Sequence, residues 1–201
     1  CYSLPPFKGL PELEAIPFAK TYAMKALSID STLSEALTTI GFIQSAFDYD
    51  WAISKRTLEK AIELNPNYPM AHVFYGNLLQ YTGENTEEGI NEIRKALNLD
   101  PLSASLNWIL GRNYYYAHKY DSAYEQLKKT LTLFPDYLYT TETFVYVLLQ
   151  RKNYSEAIEW GKKVPANDYM GLILSYAYAV SGDTIKAKKQ LEKTLKEFPH
   201  P

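Results

Sequence analysis

Three stretches, KAIELNP (60–66), KALNLDP (95–101) and KTLTLFP (129–135), are versions of one phrase, and they decide the fold. Their closing prolines, Pro66, Pro101 and Pro135, stand 35 and then 34 residues apart. Upstream of each phrase lies a glycine, Gly41, Gly76 and Gly111, spaced 35 apart both times. Two features recurring in register at this period specify a stacked helical repeat, in which each unit buries its apolar face only against its neighbours.

Working outward, each unit reads as two helices. Residues 104–117 carry Leu106, Ile109, Leu110 and Tyr114 at helical spacing. After a turn at 118–121, residues 122–134 repeat the pattern with Ala123, Leu127, Leu131 and Phe134. Pro135 ends that helix and Asp136 is placed to cap the next, as Ser103 follows Pro101. A mid-helix glycine costs about 1 kcal/mol relative to alanine, so Gly76 and Gly111 predict a close helix–helix approach. Ala96, Ala123 and Ala157 meet them from the partner helix, and Leu58, Ile93 and Leu127 fill the spaces between.

The glycine, the alanine, the large apolar residue, the second small residue and the proline resemble the tetratricopeptide repeat. Residues 104–137 carry the pattern without a gap, through Gly111, Tyr114, Ala123, Leu127, Thr130 and Pro135. Residues 34–68 and 69–103 carry it with one inserted residue each; 12–33 look like a second helix lacking its partner, with residues 1–11 either wrapping over the array or marking a cut. Block 138–166 departs from it, because Val164-Pro165 breaks its second helix early and leaves Ala157 and Ala187 only 30 apart, and block 167–199 recovers it. The resemblance implies one all-α domain over 1–201, a right-handed superhelix of antiparallel helix pairs. The runs at 48–72 and 92–127 also resemble repeat regions appended to bacterial signalling proteins that carry a cyclase, kinase or winged-helix module.

Composition bounds the chemistry. The 201 residues are 46% hydrophobic and 22% charged, with a net charge of −2, so nothing draws the chain broadly to nucleic acid or an anionic membrane. No apolar run approaches the roughly 20 residues of a membrane span. Cys1 is the sole cysteine, which excludes an internal disulfide; it is either a lipidated start or a segment boundary. Asn153-Tyr154-Ser155 fits a glycosylation sequon, a triplet common by chance. The cytoplasm is the expected compartment.

A catalytic constellation is not found. His72 reads as a packed, hydrogen-bonded histidine, His118 lies in a turn and His200 in the tail. None of the metalloprotease, hydrolase-elbow, P-loop or dinucleotide signatures occurs. Asp48 and Asp50 read as caps for a helix opening at Trp51, whose indole is expected to pack between blocks. The basic run at 186–197 reads as a solvated helix face. The chain is read as a non-enzyme without cofactor or metal.

In the resembled fold the first helices line a groove through their second, fifth, ninth and twelfth positions. Here that rule selects Val73, Asn77 and Gln80, then Trp108, Arg112 and Tyr115, then Tyr139, Glu142 and Tyr146, then Leu172 and Tyr176. Tyrosine, tryptophan and arginine predominate in binding hot spots because they join buried area to a polar handle. Eighteen tyrosines are more phenols than a small core can satisfy. The expected ligand is a protein or peptide anchored by Trp108, Tyr115 and Tyr146, with Arg112 orienting a carboxylate; nucleic acid and membrane are not expected. A carboxylate clamp of the kind found in chaperone-binding relatives is only partly met, by Asn77 and Arg112. A spacer or dimerisation element, and a small-ligand sensor governing an attached effector, remain the alternatives.

Overall fold

The computed structural model describes residues 12–165 and 167–198; the readings placed on residues 1–11 and on His200 lie outside them. Two compact units, Cys1–Pro101 and Leu102–Pro201, divide the chain. The first contains α1 (Glu12–Ile29), α2 (Ser34–Ala46), α3 (Trp51–Leu64), α4 (Pro69–Thr82) and α5 (Thr86–Leu99). The second contains α6 (Ala104–Tyr116), α7 (Tyr120–Leu133), α8 (Leu138–Gln150), α9 (Tyr154–Gly161), α10 (Asp168–Val180) and α11 (Thr184–Glu197). The described secondary structure is entirely helical, and none of these helices is long and apolar enough to cross a membrane.

In the first unit α2 pairs with α3 and α4 with α5, while α1 packs on α2 and α3 on α4. The glycines fulfil their predicted role. A Cβ built on Gly41 would stand 2.6 Å from Leu58 Cγ, and one on Gly76 would stand 2.5 Å from the carbonyl oxygen of Gly89. Leu58, Ile93, Ala61 and Ala96 are fully buried against these bare backbones. Helix contact is also polar: the hydroxyl of Ser54 donates to the Gly41 carbonyl at 2.7 Å, and Ser34 donates to the Ala61 carbonyl at 2.8 Å.

His72 is buried as the sequence predicts, and its two ring nitrogens meet two acceptors. Nδ1 lies 2.6 Å from Glu92 Oε2 and Nε2 lies 2.8 Å from the carbonyl of the repeat proline Pro66. Lys95 adds a hydrogen bond to the other Glu92 oxygen at 2.7 Å.

The second unit stacks α6 with α7, α8 with α9 and α10 with α11. A Cβ on Gly111 would lie 2.5 Å from Leu127 Cδ2, repeating the approach of Gly41 to Leu58. Thr130, Ala123 and Ala157 are fully buried. Helix α9 is only eight residues long, the truncation predicted from Val164-Pro165. Between the second helices, Phe144 packs against Tyr124 and meets Trp160 edge to face, with the Arg151 guanidinium over Tyr124 at 4.1 Å.

Three local expectations fail. Trp51 is half exposed, because it opens α3 a turn before Ser54, the first of that helix's buried residues. Asp50 caps α3 through the Ile53 amide at 3.1 Å, but Asp48 instead pairs with Lys20 at 2.6 Å. Asp136 caps nothing: the N-cap position of α8 falls to Tyr137, which makes no side-chain cap bond.

Candidate functional site

In the first unit, Asn77 and Gln80 on α4 are half-buried. Val73, selected by the same positional rule, is only 1% exposed and belongs to the core, so it lines no open surface. Near them Phe42 stacks on Phe74 at 4.6 Å and meets Phe47 edge to face at 5.8 Å, giving this unit a purely hydrocarbon aromatic group.

The second unit assembles the remaining residues. Its first helices, α6, α8 and α10, carry aromatic rings in mutual contact. Tyr139 lies 5.3 Å from Trp108, and Tyr137 completes a triangle with both at 5.6 and 6.1 Å. Arg112, one turn along α6 from Trp108, holds its guanidinium 4.7 Å above the indole and 5.9 Å from Tyr116. Tyr115 then contacts Tyr116, Tyr120 and Tyr146 at 5.6, 6.0 and 6.3 Å. Tyr146 in turn meets Tyr169 at 5.9 Å. The run therefore extends from α6 through α8 to α10.

These rings are packed on one another and yet open to solvent. Tyr139 is 58% exposed, Tyr169 60% and Tyr116 50%, while Trp108, Tyr115, Tyr137 and Tyr146 are half-buried. Glu142 is half-buried on α8 and Tyr176 exposed on α10. Among the described tyrosines only Tyr75 and Tyr114 are buried. The tyrosine excess is thus a surface property, which is where a phenol can offer both a ring face and a donor.

Burial raises the pKa of three of the half-buried phenols. Burial is the largest influence raising the Tyr146 pKa, reinforced by Tyr169, Glu142 and Tyr115. Burial also raises Tyr115, with Tyr120, Tyr116 and Tyr169 adding to it. Tyr137 is raised by burial and Tyr139 against the opposing charge of Arg112. The indole nitrogen of Trp108 is already engaged, donating to Thr143 Oγ1 at 2.8 Å.

The positional rule finds Trp108, Arg112, Tyr115, Tyr139 and Tyr146 but misses Tyr116, Tyr120, Tyr137 and Tyr169. Tyr137 is the N-cap of α8, outside the inward positions the rule counts, whereas Tyr169 holds the second position of the block whose fifth and ninth are Leu172 and Tyr176 and was passed over. The sequence signal that could have found two of them is the repetition of tyrosine at the helix starts: Tyr68 and Tyr137 are N-caps, and Tyr169 is the second residue of α10.

The fold is that of the tetratricopeptide-type array of antiparallel helix pairs. The chain is similar to PilW, a widely conserved type IV pilus biogenesis factor, at a TM-score of 0.82 and 16% identity, over 94% of this chain and 88% of that one. It is similar to PilF of Pseudomonas aeruginosa at a TM-score of 0.73 and 18% identity, over 94% and 87%. YrrB, a tetratricopeptide protein with an unusual peptide-binding site, matches at 0.64 and 18%, over 88% and 92%. No protein-family model and no curated protein matches the sequence. At these identities the likeness is one of fold.

Proposed function

We propose that the chain is a non-catalytic docking region that takes a peptide or an exposed segment of a partner protein on the ring-bearing face of α6, α8 and α10. The observation that carries this reading is the continuous contact of Tyr139, Trp108, Arg112, Tyr116, Tyr115, Tyr146 and Tyr169, at separations of 4.7 to 6.3 Å, with several of the rings half or more exposed. Rings already held by one another lose little freedom when a ligand covers them, so the ordering cost of binding is low. Each such anchor contributes on the order of 2 kcal/mol when fully covered. The peptide-binding site of YrrB, a protein of like fold, supports the same use of the architecture.

The wider setting belongs to the same proposal: a cytoplasmic docking part of a longer bacterial signalling or regulatory protein, with Arg112 orienting a carboxylate of the ligand. The reading frame on either side of the segment tests that setting directly.

The docking face itself is tested by selecting peptides from a displayed random library on the wild-type chain, then measuring their binding to an Arg112→Ala/Tyr146→Ala variant whose helicity is checked by circular dichroism. Enriched peptides that the folded variant no longer binds support the reading. Peptides bound equally by both chains, or no enrichment, refute it.

A further inference from the structure

We infer that His72 is a proton-operated tie: as an imidazolium it holds the connection between α3 and α4 to α5, and loss of its proton releases the connection while α5 stays in place. The tie lies in the first unit and stands apart from the docking reading.

His72 is 4% exposed and Glu92 6%, so water does not compete for their bonds. Nδ1 meets a Glu92 oxygen at 2.6 Å, and Nε2 meets the Pro66 carbonyl at 2.8 Å. A carboxylate and a peptide carbonyl only accept. Both contacts are therefore hydrogen bonds only when both ring nitrogens carry protons. In that form the ring joins the proline that follows α3 to the middle of α5.

Removing one proton forces a choice between the two contacts. The carboxylate is the stronger acceptor, so the remaining proton stays on Nδ1. Nε2 then turns a lone pair on the Pro66 carbonyl, acceptor against acceptor, in a site closed to water. The Pro66 contact is the one that opens. Bonds within the connection are local, Tyr68 N–H to the Asn65 carbonyl and Ala71 N–H to the Tyr68 carbonyl, both at 3.2 Å, and they do not hold it to α5.

The equivalent helix pair of the second unit shows that the fold does not require charge here. Asn107 stands 35 residues on from His72, and Gln126 stands 34 on from Glu92. Gln126 Nε2 donates to Asn107 Oδ1 at 3.1 Å, and Asn107 Nδ2 donates to the Ser103 carbonyl at 3.0 Å. A neutral amide pair thus serves the same contact between α6 and α7, and it cannot titrate. The pair between α4 and α5 can.

The charges acting on His72 are Glu92 and Lys95, both on α5. The other helices packed on α4 direct their nearby carboxylates elsewhere: Glu59 of α3 accepts from the Tyr75 hydroxyl, and Glu35 of α2 acts on Tyr68. The Glu92 bond is the main influence raising the His72 pKa. The tie is therefore complete below about pH 6.5 and opens as pH climbs through the higher folded value.

The test uses the full chain and a double variant, His72→Asn/Glu92→Gln, which copies the neutral pair of α6 and α7. Nitrogen-15 NMR of the His72 ring in wild type is expected to give a midpoint above about 6.5 and, past it, a neutral form protonated on Nδ1. Hydrogen exchange of the amides of residues 65–71, taken as protection in wild type relative to the double variant at the same pH, is expected to fall about threefold or more between about pH 5.5 and 8.5. The same ratio for the α5 amides is expected to stay level. A midpoint at or below about 6.5, a neutral form protonated on Nε2, or a connection whose ratio does not change overturns the inference. Should the double variant fail to fold, the ring titration and the backbone shifts of residues 65–71 in wild type decide: shifts that follow the His72 midpoint support the tie, and shifts that do not overturn it.

Discussion

The indole nitrogen of Trp108 donates to the Thr143 hydroxyl across 2.8 Å, and that hydroxyl donates in turn to the carbonyl of Tyr139, also at 2.8 Å. One threonine on α8 thus fixes a ring on α6 and turns the indole's polar edge inward, leaving ring surface beside Tyr139 and beneath Arg112. Thr143 is almost wholly buried, so its partners are not exchanged with water. Thr143→Val keeps the shape and removes the acceptor, leaving the indole N–H unanswered. A loss of about 1–2 kcal/mol is expected. Thermal melting read by tryptophan emission checks it, with Thr143→Ser expected to stay near wild type.

The His72 site predicts a pH dependence of the first unit. The Glu92 hydrogen bond is the main influence raising the His72 pKa, and it outweighs burial, which acts the other way. For Glu92, burial is the largest influence and raises its pKa, but the hydrogen bonds from His72 and Lys95 together outweigh it and leave it lowered. The raised histidine contributes stability that is full below its unfolded pKa of about 6.5 and lost as pH climbs through the higher folded value. The lowered carboxyl contributes above about 4.3, its unfolded value, and that share is lost as pH falls through the lower folded one. The contribution of the pair is therefore greatest between about pH 4.5 and 6.5. Urea unfolding of wild type and His72→Gln across pH 4 to 9 is expected to show the largest gap, about 2 kcal/mol, in that window and a shrinking gap above it.

Three glycines separate crowding from backbone strain. Alanine at Gly76 would press its Cβ on the Gly89 carbonyl, backbone against backbone, with little able to yield. About 3 kcal/mol of destabilisation is expected. At Gly111 the obstacle is the Leu127 side chain, which can turn, so Gly111→Ala should cost about 1–2 kcal/mol. At Gly83 a Cβ meets nothing within 4 Å, and only its φ of +69° penalises alanine, by about 1 kcal/mol. Chemical denaturation of the three variants should rank them in that order.

Glycine-to-leucine register was legible in the sequence because it is a backbone matter: Gly41 faces Leu58 and Gly111 faces Leu127, 17 and 16 residues further along the chain. The early end of α9 was legible for the same reason, since proline acts on its own chain. Ring contacts were less so. Trp108, Tyr115 and Tyr146 could be placed by counting along a helix, and the same count reaches Tyr169, but Tyr137 joins from the N-cap of α8, ahead of the first counted position. Val73 was misplaced because a positional rule cannot tell a lining residue from one turned into the core. Trp51 was misplaced because it opens α3 a turn ahead of Ser54, the first buried residue of that helix.

The central claim is that ligands meet the chain on α6, α8 and α10. It is tested most directly by photo-crosslinking a display-selected peptide that carries a photoreactive group at each position in turn, then mapping the joined residues by mass spectrometry. Crosslinks concentrated on Trp108, Tyr115, Tyr139, Tyr146 and Tyr169, and lost on Tyr139→Ala/Tyr146→Ala, are the expected result. Crosslinks falling on the second helices α7, α9 and α11, unchanged in that variant, would contradict it.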